Sequence, residues 1–105
     1  MIAYSRLEEL LNRFSGLTVG LVGDLFLDRY LQIEAGIREL SVETNLEAYQ
    51  VGEIRNAPGA LGTVMNNLAA LGIGKLVPVT VIGDDGHGYD LLAALDGLPL
   101  ERAYL

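Results

Sequence analysis

The sequence contains no cysteine, no tryptophan and a single histidine, His87, among 105 residues. Without cysteine there is no disulfide framework, no thiolate metal site and no cysteine nucleophile. With only one histidine as well, zinc has too few of its usual nitrogen and sulfur ligands to make a zinc site a good interpretation. The lack of disulfides suits the cytosol, and we expect a cytoplasmic protein.

Long apolar runs and basic residues are also scarce. No segment approaches the ~20 apolar residues that span a bilayer, and charged residues occupy the N-terminal stretch where a signal peptide needs an apolar core. Seven Lys and Arg against fourteen Asp and Glu give a formal net charge of −7, and the sequence pI is about 4.4. Such a surface repels nucleic-acid phosphates. We therefore expect neither membrane nor nucleic acid as a partner.

Half of the residues are apolar, and their arrangement predicts an α/β protein. Two nearly continuous apolar runs, 17–23 and 76–82, are typical of strands covered on both faces of a parallel sheet. Apolar residues at helical spacing predict three helices, at 5–14, 60–71 and 89–95. Strands that alternate with helices in this way indicate a parallel sheet flanked by helices. Because another strand is due at 100–105, we expect this sheet to be incomplete.

The stretch between the first buried strand and the central helix has a different pattern. Apolar and polar residues alternate from Asp24 to Ile33, and 37–42 and 46–54 resemble further half-exposed strands. We interpret about 31–56 as an antiparallel β flap that stands off the α/β body. Its apolar residues lack cover, so we expect the flap to self-associate as a two-fold dimer.

Two carboxylates, Asp24 and Asp28, follow the first buried strand, at the edge where ligands bind in open α/β sheets. A carboxylate in that place can accept hydrogen bonds from two hydroxyls of a polyol, which suits sugar recognition. Alternatively, Asp24 is a turn or cap residue and Asp28 pairs with Arg29 or another surface cation. The local pattern alone favours this second interpretation.

Small residues surround the start of the central helix, from Ala57 to Gly62. They would let a ligand approach free backbone N–H groups, which attract oxygen atoms and negative charge. Tight packing of the helix on the sheet requires small residues equally well, so both interpretations stay open.

A third polar segment, Gly83 to Gly88, reads Gly-Asp-Asp-Gly-His-Gly. Adjacent carboxylates beside a histidine invite a metal-site interpretation, but their spacing matches no calcium loop. Helix capping by the aspartates is the better interpretation, and we predict no metal site here.

Taken together, three segments resemble the PfkB (ribokinase-like) family of carbohydrate kinases. They are 19–30, Pro58-Gly59 leading into 67–72, and 81–88, and they occur in that family in the same order and at similar spacing. The similarity runs from about Leu17 to the C-terminus and is greatest to the bacterial heptose phosphate kinases. Those enzymes begin with Gly-Asp-x-x-Leu-Asp-Arg-Tyr, which is present here as 23–30.

The resemblance implies an incomplete ribokinase-like fold over residues 1–105, with the flap serving as a lid and dimer interface. It also implies that Asp28 holds sugar hydroxyls and that Gly59 lines the sugar site. The second glycine of the family is Ala60 here, and the asparagine expected a few residues later is Thr63. We expect substrate contacts at these four positions: Asp28, Gly59, Ala60 and Thr63.

The reaction implied by the resemblance is transfer of the ATP γ-phosphoryl group, with magnesium, to a hydroxyl of a sugar or sugar phosphate. The catalytic base and anion hole of the family lie in a downstream Gly-Ala-Gly-Asp motif, which nothing in these residues matches. We therefore predict no catalytic residue and no metal ligand here. ATP and magnesium are expected in the complete enzyme, and residues 1–105 alone are expected to bind neither and to be inactive.

Our leading hypothesis is a fragment of a carbohydrate kinase that carries the sugar-binding side and the lid. One alternative is a non-catalytic sugar-binding or dimerisation module derived from the same fold. Another is an unrelated α/β binding domain whose likeness to the kinases is accidental.

Overall fold

The computed structural model describes all 105 residues and contains three helices and four strands. They are α1 (Tyr4–Arg13), β1 (Thr18–Val22), β2 (Leu25–Leu40), β3 (Glu47–Ala60), α2 (Leu61–Ala70), β4 (Lys75–Val79) and α3 (Gly86–Ala94). A single 3-10 turn, Phe14–Gly16, links α1 to β1. The last helix begins three residues earlier than predicted because the Asp85 side chain caps it.

The body contains a parallel pair of strands. β1 and β4 pair in register from Thr18 opposite Lys75 to Val22 opposite Val79. On the other side of β4, Leu100 forms a parallel bridge with Leu76, whose N–H donates to the Pro99 carbonyl at 2.9 Å. The strand predicted at 100–105 is thus limited to a single bridge at Leu100, and the residues after it form no strand. The mixed α/β architecture is confirmed and is consistent with an incomplete ribokinase-like fold.

The core of the body is small. It lies where α2 and α3 cover the parallel pair, and only 12 of 105 residues are buried. Eight apolar side chains form it: Leu21, Leu25, Leu61, Met65, Ile73, Leu76, Leu91 and Leu95. Helix α1 contributes no buried residue. No helix in the chain combines the length and apolarity needed to cross a bilayer.

The flap is an antiparallel hairpin formed by β2 and β3. Pairing runs from Leu25 opposite Ala60 to Leu40 opposite Glu47, and the register shifts twice, at Gln32/Ile33 and between Ile33 and Arg38. The molecule measures 65 × 33 × 21 Å, and its radius of gyration of 19.8 Å exceeds the ~13 Å of a compact chain of this length. The predicted antiparallel flap is therefore present, and its strands extend past 31–56 at the base.

One face of the flap carries an apolar ladder of four residues. Leu31 pairs with Ile54, and Ile33 pairs with Val51. Because directly opposed residues share a face of a sheet, the four side chains form one strip. Each is 45–57% exposed, so nothing in the chain covers this strip.

Candidate functional site

Asp28 and Gly59, two of the predicted substrate contacts, lie side by side at the base of the flap. Asp28 in β2 pairs with Ala57, and Phe26 pairs with Gly59. A Cβ built on Gly59 would lie 2.7 Å from Asp28 Oδ2 and would overlap the Phe26 ring. Gly59 is therefore required for the Asp28 carboxylate to occupy this place.

The Asp28 carboxylate is half-buried and has no hydrogen bond or ion pair within the chain. The proposed pairing of Asp28 with Arg29 is wrong, because Arg29 forms its ion pair with Asp90 instead. A carboxylate held near the protein surface without a partner keeps its lone pairs available to hydroxyl donors. The geometry thus leaves Asp28 free for a polar ligand.

Ala60 links the flap to α2 in a backbone conformation that L-residues rarely adopt. Its φ is 48° and its ψ is −109°, and it is the N-cap residue of α2 without a capping side-chain hydrogen bond. Glycine adopts a positive φ without steric cost, whereas alanine does not. The backbone at Ala60 thus has a conformation that suits the glycine that the resemblance led us to expect at this position.

The junction between flap and helix also holds Thr63 and the end of β1. The exposed Thr63 donates its Oγ1 hydroxyl to the Pro58 carbonyl across 3.5 Å, at the long limit for a hydrogen bond. The Leu61 N–H donates to the Asp24 carbonyl at 2.9 Å. All four predicted substrate contacts therefore lie where the base of the flap meets the first turn of α2.

A groove of about 470 Å³ opens beside this junction, at the carboxyl ends of β1 and β4. Residues 22–26 and 79–81 line it. Ligands of open α/β proteins bind at this edge of the sheet. Asp24 lies in the bend between β1 and β2 with an exposed side chain, and its backbone carbonyl ties the start of α2 in place. Asp24 thus has a structural role through its backbone, as the turn interpretation predicted.

The segment 83–88 caps a helix. Asp85 is the N-cap of α3, and its Oδ1 accepts a hydrogen bond from the Gly88 N–H at 2.9 Å. His87 is exposed in the first turn of α3 rather than in the preceding turn. No group of three or more His, Asp or Glu side chains comes together in the chain. The capping interpretation of Asp85 is confirmed.

The sequence patterns missed two contributions to this site. One is the Phe26 ring, which lies against Gly59. The other is the ion pair between Arg29 and Asp90, whose partners are 61 residues apart in the sequence. No local spacing links residues so distant, although Arg29 stands next to Asp28 in the kinase-like segment.

Comparison with known proteins places the chain beside the bifunctional HldE proteins. It is 36% identical over 99 residues to "Bifunctional protein HldE" of Mesorhizobium japonicum, covering 94% of this chain and 19% of that protein. The HldE protein of Caulobacter sp. is 39% identical over 93 residues, covering 89% and 18% respectively. That of Gluconacetobacter diazotrophicus is 35% identical over 86 residues, covering 82% and 17%.

No family model matches the chain. The chain spans about a fifth of the length of the curated relatives it matches. Their agreement over most of this chain confirms the resemblance that the three sequence segments indicated.

Proposed function

Because this chain is homologous to part of the bifunctional HldE proteins, we propose that it forms the sugar-binding side and lid of an ATP-dependent carbohydrate kinase. The observation that carries the proposal is the Asp28 carboxylate, which is half-buried, unpartnered and held against Gly59. It lies within the segment 23–30 that resembles the start of the heptose phosphate kinases.

In this proposal Asp28 accepts hydrogen bonds from hydroxyls of a sugar or sugar phosphate. Charge-assisted hydrogen bonds of this kind contribute about 1.5–3 kcal/mol. Gly59, Ala60 and Thr63 line the same junction and shape the space in which the sugar lies. The flap extends above this junction from its base, where a lid over the sugar has to be attached.

Phosphoryl transfer needs a general base, an anion hole and a nucleotide pocket in addition to the sugar site. None of the residues at the junction matches these requirements. We therefore assign ATP and magnesium to the complete enzyme, acting from residues outside this chain. We also propose a cytoplasmic location, because the sequence has no cysteine and therefore no disulfide.

The apolar ladder supports a second element of the proposal, a homodimer formed through the flap. Leu31, Ile33, Val51 and Ile54 expose an apolar strip on a thin hairpin that the small body does not reach. Pairing of two such strips about a two-fold axis buries both at once. The same strip favours the alternative function, a non-catalytic dimerisation or sugar-binding module.

The experiment uses the protein as its gene encodes it, assayed for ADP release with a panel of sugars and sugar phosphates that begins with heptose phosphates. We expect release that depends on one sugar class and on magnesium. Sugar binding detected by calorimetry without any ADP release would favour the non-catalytic module. Absence of both binding and turnover across the panel would rule out the kinase proposal and the sugar-binding module together.

A further inference from the structure

Arg29 joins three elements at the base of the flap. It follows Asp28 in β2, so its side chain lies on the opposite face of the strand. Its Nε–H donates to Asn56 Oδ1 of β3 at 3.1 Å, and its guanidinium forms an ion pair with Asp90 of α3. One side chain thus connects both strands of the flap to a helix of the body.

The pair formed by Arg29 and Asp90 is the best shielded of the six ion pairs in the chain. Its two side chains are 30% and 36% exposed, whereas those of the other five pairs are 40–83% exposed. Exposed ion pairs contribute little because water and salt screen them. The planar guanidinium also donates in two directions at once, to Asn56 and to Asp90, which an ammonium group does less well.

A ligand-binding role for Arg29 fits the surroundings less well. A groove of about 540 Å³ adjoins it, lined also by Asp85, His87, Tyr89 and Asp90. The charge of Arg29 is already balanced by Asp90, and Asp85 adds a further negative charge at the groove. An anion would therefore meet no free positive charge from Arg29. The hydrogen bond and the ion pair of Arg29 instead connect β2 to β3 and to α3.

The position of Asp28 depends on how firmly the base of the flap is held. Its carboxylate makes no hydrogen bond or ion pair within the chain, so the β2 backbone and the contact with Gly59 place it. Further out, the strands change register at Gln32/Ile33 and again before Arg38, and this outer part extends away from the body. Motion of so long a hairpin would be transmitted to its base unless the base is fixed to the body.

We propose that Arg29 is a positioning residue that clamps the base of the flap to α3 and thereby holds Asp28 against Gly59. This inference rests on the proposed function, in which Asp28 contacts the sugar. Arg29 itself touches neither sugar nor nucleotide. Its effect reaches the sugar through the placement of Asp28, the residue that precedes it in β2.

The kinetic test compares Arg29→Gln and Asp90→Asn with a matched control, Arg55→Gln, in the complete gene product. Arg55 lies on β3 beside Asn56, stacks over Tyr30 at 5.3 Å and has no ion pair. Because small misplacements of a binding group are costly, we expect the sugar KM of Arg29→Gln and Asp90→Asn to rise on the order of 10-fold. The ATP KM and kcat should change little, and Arg55→Gln should behave as wild type. Arg29→Lys keeps the positive charge but not the planar guanidinium, so its sugar KM should lie between those of the wild type and Arg29→Gln.

A second measurement does not depend on activity. Since the chain lacks cysteine, the substitutions Glu53→Cys and Ala93→Cys place two spin labels at exposed positions on the flap and on α3. We expect the distribution of distances between the labels to broaden in Arg29→Gln and to stay unchanged in Arg55→Gln.

The outcomes separate the two proposals. If the wild type shows no sugar-dependent turnover, the proposed function fails, and the label distances alone decide whether the clamp exists. If the wild type is active but Arg29→Gln matches Arg55→Gln in sugar KM, the positioning role is overturned, whether or not the distances broaden.

Discussion

Single residues at the junction make distinct contributions that substitution can separate. Asp28 and Asp24 are four positions apart, yet one is half-buried with a free carboxylate and the other is exposed and acts through its backbone carbonyl. Gly59 has no room for a Cβ, and Ala60 occupies a conformation that suits glycine. Each difference leads to a testable expectation.

We expect Asp28→Ala to raise the sugar KM of the complete enzyme by roughly 10- to 100-fold, because one charge-assisted hydrogen bond is lost. Asp24→Ala should leave the sugar KM near wild type, since the backbone carbonyl that binds the Leu61 N–H remains. Steady-state kinetics with the preferred sugar measures both. Equal losses from the two substitutions, or no loss from Asp28→Ala, would show that the assignment is wrong.

Ala60→Gly should stabilise the protein by about 1 kcal/mol, because glycine relieves the positive-φ strain and this gain exceeds its greater freedom in the unfolded chain. Ala57→Gly is the matched control, since Ala57 lies in extended strand without a positive φ and should lose stability on the same exchange. Urea denaturation of the complete gene product measures the free energy of unfolding. A less stable Ala60→Gly variant would contradict the strain argument.

At the scale of the elements, the flap combines a fixed base with an uncovered apolar face. Gly59 and Leu25 are buried at its base, whereas the apolar ladder lies exposed further out. The base therefore behaves as part of the body, and the outer strands offer a surface to another molecule.

We expect Leu31→Lys to weaken self-association, raising the dimer dissociation constant by at least about 10-fold, because a charge would enter an apolar contact in both copies. The adjacent Gln32→Lys adds the same charge on the opposite face of β2, where it pairs with Glu53, and should leave the dimer intact. Sedimentation velocity at micromolar concentration distinguishes the two. A wild type that is strictly monomeric under these conditions would remove the basis for the dimer.

The helices and the two buried strands could be predicted from the sequence to within three residues, because apolar periodicity differs between buried strands and helices. The flap was predicted less well: the segments 24–33 and 37–42 are one strand, β2, and β3 continues to Ala60 rather than ending at Ile54. The register shifts of the flap could not be predicted, since they depend on how Gly52 and the segment 34–37 fit across the hairpin. The ion pair between Arg29 and Asp90 could not be predicted either, because only folding brings these residues, 61 positions apart, together. At the candidate site, the resemblance named the four residues, and only the structure shows that Asp28 lacks a partner.

At the scale of the whole molecule, the body is held by few buried contacts and leaves a strand edge open. β1 pairs only with β4, so its other edge is free for intermolecular pairing. Many large apolar side chains are also exposed, including Leu7 and Leu11 on α1 and Val22 at the end of β1. A core of this size leaves a chain of 105 residues with little margin of stability.

We therefore expect purified residues 1–105 to aggregate or remain partly unfolded, to bind ATP no better than background and to release no ADP with any sugar. Size-exclusion chromatography, circular dichroism and a coupled ADP assay check these three points. A stable, cooperatively folded chain without activity would favour the non-catalytic module. ATP turnover by residues 1–105 would mean that catalytic groups lie among residues to which we assign structural roles, and the kinase-based interpretation would fail.

The hydrogen bond from the Leu61 N–H to the Asp24 carbonyl has a consequence for how the molecule can change. It joins the residue before β2 to the residue after β3, so the flap is a loop whose two ends are held together at the body. The entropy cost of closing such a loop increases only slowly with the number of residues in it. Shortening the flap symmetrically beyond the apolar ladder, within residues 34–50, should therefore leave the melting temperature of the complete protein nearly unchanged, which calorimetry would measure. The length of the flap can thus vary while the α/β body stays the same.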